Sequence, residues 1–349
     1  MTIRITWARM LAVIAAATLL ALAIGWSGAV NVAASSGHWK VTDWFLHWVM
    51  RNSVKTRSYW QAPEQPSDAS GLVSAAGHFA ASCAVCHGAP GLRPSPVLRA
   101  ATPPAPDLSV NARQWQDRHL YWILEHGVKF SGMPAWPAEG REDEIRRMVA
   151  LVRRLPGMSP AEFRRLTGGV AEIAGSNRFE TCAGCHGLDG RGRDQRDIPV
   201  LGGQKPVYLL ASLKAYQSGA RQSAVMRNAV ARLGDADMRL LATRFSAMPG
   251  LGGASRAADA AAERIVRQGL PSRDLPACAS CHAPGKPYPV LDGQKAAYVA
   301  ARLRQWRGDP HEVDARKSHA TMPVIARRIP EEMIDRLATY YAKAASPRK

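Results

Sequence analysis

From Met10 to Trp39 the chain has no charged residue, counting His38 as neutral, and Trp7 and Trp26 bracket the most apolar part of this run. The 19 steps between them, at about 1.5 Å each in a helix, span roughly 28 Å, close to the hydrocarbon thickness of a bilayer. The pattern predicts an uncleaved membrane anchor within residues 1–34. A cleaved signal, with a shorter apolar centre and Val32-Ala33-Ala34 as its small-residue site, is the alternative. Arg4 and Arg9 on one side face Lys40, Arg51, Lys55 and Arg57 on the other, so charge does not orient the span. Next, Val41, Trp44, Phe45, Trp48 and Val49 recur at helical spacing, with Thr42 or Asp43 placed to cap. Close to a span, with Trp39 alongside, this stripe suits a core helix and an interfacial or docking helix equally. Residues 35–70 are expected to form that helix and a linker.

Farther on, single apolar faces mark helices: Ile145, Met148, Val149 and Val152 before Pro156; Met238, Leu241 and Phe245; Ile334, Leu337 and Tyr341 after Pro330. The last two belong to a repeat. Gly203-Gln204-Lys205 with Tyr208 and Leu213 returns 90 positions later as Gly293-Gln294-Lys295 with Tyr298 and Leu303. The flanks return at 96 instead, Leu241-Ala242-Thr243 matching Leu337-Ala338-Thr339, so the later copy has lost six residues before Gly293 and regained six after it. This is tandem duplication with loop drift. The expected class is all-α, a transmembrane helix followed by three domains at 71–158, 159–252 and 253–349.

Among 349 residues, 46% are apolar and 21% charged, which argues against wholesale disorder and against a polytopic membrane protein. The formal charge of +18 favours acidic partners. Arginines are scattered and no basic run is interleaved with aromatics, so nucleic acid is not an expected partner.

All six cysteines fall in three copies of Cys-x-x-Cys-His: Cys83, Cys86 and His87; Cys182, Cys185 and His186; Cys278, Cys281 and His282. A structural zinc needs four ligands in one small unit, typically two pairs about 12 to 20 residues apart. Here the pairs begin 99 (83 to 182) and 96 (182 to 278) residues apart. A redox dithiol gives no reason for a histidine after every pair. Covalent haem c uses every residue: two thiols for the vinyl groups and the histidine beneath the iron. Three haems are expected. A sixth ligand is expected from Met133, Met226 and Met322, which follow their histidines by 46, 40 and 40 residues and precede the last helix of each unit. A thioether is a soft donor that stabilises ferrous iron and fills the second axial position. Met238 and Met248 compete in the second unit, and His126 and His319 are the alternatives for bis-histidine ligation. Between histidine and methionine lie Pro106-Asp107-Leu108, Pro199-Val200-Leu201 and Pro289-Val290-Leu291. A prolyl carbonyl there suits the second ring nitrogen of the histidine, which needs an acceptor.

The three units resemble class I c-type cytochromes: an N-terminal helix running into CxxCH, a Pro-x-Leu loop, an axial methionine and a C-terminal helix. The back half, from "CAGCHGLDGRG" to "LATRF" and its copy, resembles the tandem diheme cytochromes of bacterial respiratory chains. The front unit, with "CAVCHGAPG" and "EHGVKFSGMPAW", resembles monoheme membrane-anchored cytochromes found beside oxidases and dehydrogenases. The resemblance covers nearly everything from about residue 71. It departs at "CHAPGKPYP", where no glycine follows the histidine and His282 to Pro289 is contracted to seven residues. Basic residues Arg302, Arg304, Arg307, Arg316 and Lys317 nearby are expected to guide an acidic partner to that haem. The resemblance implies a carrier of single electrons in the bacterial inner membrane with its haem domains in the periplasm. Its partners are then a membrane-bound or periplasmic dehydrogenase, or a quinol-oxidising complex, and a terminal oxidase. A haem enzyme with one five-coordinate iron, a peroxidase or sulfur-compound dehydrogenase, is the alternative.

Overall fold

The computed structural model describes residues 6–169, 178–252, 258–308 and 321–342. Helix α1 (Trp7–Trp26) is exposed along its whole length and has a mean hydropathy of 2.1, long and apolar enough to cross a membrane; a signal sequence has the same properties. Helix α2 (Lys40–Gln61) divides in two. Its stripe of Trp44, Phe45, Trp48 and Val49 is exposed, whereas Val54 and Ser58 near its end are buried. The apolar stripe is therefore not a core face.

The first unit contains α3 (Leu72–His78), a wider turn over Phe79–Cys83, α4 (Ala84–His87), the short α5 (Pro96–Arg99) and α6 (Leu108–Asn111), α7 (Asp117–His126), α8 (Glu142–Arg154) and α9 (Pro160–Thr167). Helix α8 has acids in its first turn and arginines in its last, matching its dipole, and it buries Ile145, Met148, Val149 and Val152 as the pattern predicts. Ser159 caps α9 through Glu162 N–H, and Phe163 packs in the same core as Phe79, Met148 and Leu151. The first unit thus reaches Thr167, past the boundary expected at 158, because the apolar side of α9 covers α3.

The second unit contains α10 (Arg178–His186), α11 (Pro206–Gln217), α12 (Ala224–Val230) and α13 (Asp235–Ser246). The third contains α14 (Ala260–Gln268), α15 (Ala296–Arg307), α16 (Thr321–Arg328) and α17 (Glu331–Ala342). Each has its own core: Phe179, Leu209, Leu241 and Phe245 in the second, and Ile265, Val299, Ile334, Leu337 and Tyr341 in the third. Among the described residues there is no β-strand; isolated bridges join Ala89 with Leu92 and Leu270 with Leu275.

Candidate haem sites

In the first two units a helix delivers the Cys-x-x-Cys-His motif. The wide turn after α3 carries Cys83 and α4 ends at His87; α10 carries Cys182, Cys185 and His186 and stops at Gly187, whose φ of 79° suits glycine. The third unit differs from the expected helix running into the motif. Helix α14 ends at Gln268, and Cys278 opens a single 3₁₀ turn after the Leu270–Leu275 bridge.

The prolyl acceptors stand where the histidines need them. His87 Nδ1 is 2.8 Å from the Pro106 carbonyl and His282 Nδ1 is 3.0 Å from that of Pro289. The Pro199 carbonyl acts on His186 in the same sense, but at a geometry short of a full hydrogen bond, leaving Nδ1 buried without a partner of its own. Burial pushes the His186 pKa down to about 4 and lowers that of His282, so both rings are neutral and ready to donate a lone pair. The thiols move the other way. Burial, with Cys86 adjacent, raises Cys83 to about 12, and burial raises Cys182 and Cys185 to about 11. A reactive dithiol needs the opposite shift. All six cysteines are unpaired, and among the described residues no three His, Cys, Asp or Glu side chains gather as a zinc site requires.

Met133 and Cys83 pack against the first core, and Met322 and Cys278 against the third. In the second unit the thioether packed on the core beside Cys182 is that of Met248, close enough to Gly190 that a Cβ there would lie 3.1 Å from Sδ. Met226 is half-buried on α12, which packs across the boundary onto α3, and Met238 is fully buried within α13. His126 faces Glu125 at 3.3 Å and the Trp122 ring; His319 lies outside the described residues.

The units meet through contacts that the sequence did not announce. Buried Glu144 of the first accepts from Ser223 Oγ (2.6 Å) and Ala224 N–H (2.8 Å) of the second and pairs with Arg141 at 2.8 Å. Asp197 of the second accepts from Ser74 Oγ at 2.6 Å and lies 3.7 Å from Arg147. Between the second and third units the two Gly-Gln-Lys copies reach across reciprocally. Lys205 Nζ donates to the carbonyls of Ala283 and Tyr288, and Lys295 Nζ to those of Gly192 and Gln195. The repeat itself was the signal: this triplet persists in the duplicated pair although its surroundings drifted.

Where the three units meet, a cleft of about 320 Å³ is lined by Arg141, Arg147, Asp197, Tyr298 and Arg302. Buried Arg221 donates to Tyr298 Oη at 3.1 Å and Ser212 Oγ at 3.2 Å, yet its Nε has no partner, nor has Nε of Arg302, whose pKa falls through burial and then through the Arg221 charge. A buried and a half-buried cation side by side call for an anion. The carboxylates of haem suit that demand, so the residues present fit the group. Of the expected guiding patch, Arg304 is paired with Glu331 and Asp335, Arg307 with Glu331, and Arg302 is half-buried, while Arg316 and Lys317 lie outside the described residues.

Residues 72–152 match the family model of cytochrome c oxidase, cbb3-type, subunit III, and residues 173–243 that of cytochrome c. The thiosulfate dehydrogenase electron acceptor of Stutzerimonas stutzeri (strain A1501) is 33% identical over 170 residues, covering 46% of this chain and 77% of that protein. The chain belongs to the cytochrome c family. Cytochrome c4 of Stutzerimonas stutzeri is 30% identical over 183 residues, covering 48% of this chain and 86% of that one. A crystal structure of reduced recombinant cytochrome c4 from Pseudomonas stutzeri, 28% identical, covers 51% of this chain and 97% of its own with a TM-score of 0.40. Cytochrome c domains imply covalent haem c and electron transfer rather than catalysis by themselves.

Proposed function

We propose that this cytochrome c carries three covalent haems and relays single electrons in a respiratory chain, held to the bacterial inner membrane by α1 with its haem units in the periplasm. Haem iron, when bound, supplies the one-electron chemistry. Cys83 and Cys86, Cys182 and Cys185, and Cys278 and Cys281 hold the three groups by thioether bonds. His87, His186 and His282 would hold the iron, oriented by the Pro106, Pro199 and Pro289 carbonyls. Met133, Met226 and Met322 would each supply a thioether as a further ligand, a donor set that suits electron transfer. Arg221 and Arg302 meet the negative charge that enters with the prosthetic groups. A relative named as the electron acceptor of thiosulfate dehydrogenase favours a sulfur-compound dehydrogenase as donor, and the likeness of residues 72–152 to an oxidase subunit favours a terminal oxidase as acceptor.

The observation that carries this proposal is the prolyl carbonyl set against the ring nitrogen of His87 in the first unit and of His282 in the third, since it equips each ring to ligate iron through its other nitrogen. Ferric spectra and carbon monoxide exposure of the purified chain test it. Uniformly low-spin haem that binds no carbon monoxide is expected, and Met226→His lowers the potential of one haem. A high-spin fraction with carbon monoxide binding supports the haem enzyme instead, and an unshifted titration in Met226→His moves the ligand to Met248, which shares the second core with Cys182.

A further inference from the structure

In the paired units one peptide group faces two ways. Its carbonyl, that of Pro289, accepts from His282 Nδ1 at 3.0 Å, while its N–H, that of Val290, donates at 2.9 Å to Oε1 of Gln204 in the second unit. The mirror arrangement has Val200 N–H donating to Oε1 of Gln294 in the third unit at 2.9 Å, on the peptide whose Pro199 carbonyl acts on His186. Both glutamines are buried and held at each end. Gln204 Nε2 donates to the Val290 carbonyl and Gln294 Nε2 to the Val200 carbonyl, each at 3.1 Å, and each Oε1 also accepts the N–H of the following lysine at 3.0 Å.

We infer that Gln204 and Gln294 are positioning residues which, from across the unit boundary, set how strongly His282 and His186 donate to iron, so that each haem's potential depends on the docking of the other unit. This rests on the ligation proposed above. The C=O and N–H of one peptide share amide resonance, so an acceptor on the N–H makes the carbonyl a better acceptor in turn. A better acceptor on Nδ1 makes the imidazole a stronger donor, which favours ferric iron and lowers the potential. The effect is larger at His282, whose contact with its carbonyl is the better formed. The first unit has the same histidine–proline pair, His87 with Pro106 at 2.8 Å, but no Gly-Gln-Lys partner in its sequence, and is the internal control.

The test is a potentiometric titration of the full haem-loaded chain, its components assigned by removing one haem at a time through paired Cys→Ala changes. Gln204→Leu is expected to raise the third-unit component alone, and Gln294→Leu that of the second unit alone. Gln204→Glu keeps an oxygen on Val290 N–H but removes the donor to the Val290 carbonyl, so it leaves the third component at or below its original value. A glutamine that merely glues the units together predicts that Leu and Glu act alike, or that both haems move equally; either result overturns the coupling, as does a third component unmoved by Gln204→Leu. Should that variant fail to accumulate, Gln204→Met, of similar length and without the acceptor, is read by the same criteria. Fewer than three haems in the unaltered chain overturns the ligation and the coupling together, whereas three haems with unshifted components overturns the coupling alone.

Discussion

The two unit boundaries are built from different chemistry. Between the first and second units the contacts are of mixed kinds and do not mirror one another: Glu144 of α8 accepts from Ser223 and Ala224 at the start of α12, Arg141 donates to the Gln222 carbonyl, Arg227 reaches the Pro137 carbonyl, and Asp197 accepts from Ser74 and lies opposite Arg147. Between the second and third they are reciprocal, a glutamine and a lysine from each side reading backbone groups on the other. The difference follows from ancestry written in the sequence. Two copies of one sequence that meet face to face need a self-complementary patch, and a carboxamide, with one donor end and one acceptor end, meets both the N–H and the C=O of one residue opposite, whereas the lysines meet carbonyls alone. A first unit of different sequence is free to use opposite charges.

Several changes break or sharpen this contrast. The largest effect is expected for Cys182→Ala with Cys185→Ala, which alters the unit shared by both boundaries. One haem of three is lost while the first and third units, having separate cores, keep theirs; pyridine haemochrome absorbance per mole of chain measures the count. Next comes Glu144→Ala. It removes one of the two carboxylates on Arg141, Asp143 being the other, and leaves Ser223 Oγ and Ala224 N–H without their acceptor, which costs about 1 to 3 kcal/mol. Chemical denaturation is expected to show the first and second units separating in an earlier step.

Acid distinguishes the boundaries by their titrating groups. Burial alone would raise the pKa of Asp143, but the guanidiniums of Arg141 and Arg147 override it and hold that carboxyl well below the usual carboxylate range. A depressed pKa contributes stability above the unfolded value of about 3.9 and loses it as pH falls toward the folded one. Exchange of the amides of α8, the helix that carries Asp143, corrected for intrinsic rates, is therefore expected to accelerate below about pH 4 relative to that of Val290, which a neutral carboxamide holds. The smallest effect is expected for Lys205→Ala. Its ammonium is partly solvated, so losing its bonds to the Ala283 and Tyr288 carbonyls costs about 1 kcal/mol and shows as faster proteolysis within 283–288 at unchanged haem content.

Much of this was legible beforehand, for physical reasons. The apolar faces of α8, α13 and α17 bury the residues that their spacing singled out, since a helix of period 3.6 has one face to hide. The prolyl carbonyls were legible because only seven residues link His282 to Pro289 and nineteen link His87 to Pro106. The partners of Arg304 were not legible because sequence distance hides them: Glu331 is 27 positions away and Asp335 is 31. Likewise α9 looked like the start of the second unit until Phe163 packed beneath α3.

The sequence by itself determined the haem-attachment motifs, the repeat and the helices, because thioether chemistry and helical periodicity both act within a few residues of chain. The tertiary structure alone decided which thioether shares the second core with Cys182, how buried arginines cluster where units meet, and that Gln204 and Gln294 cross over to the peptides beside each other's histidines. Val200 and Gln294 stand 94 positions apart, and Val290 and Gln204 stand 86. A hydrogen bond over such a separation depends on the docking of whole folded units, and side-chain identity at either end gives no sign of it until their surfaces are in register.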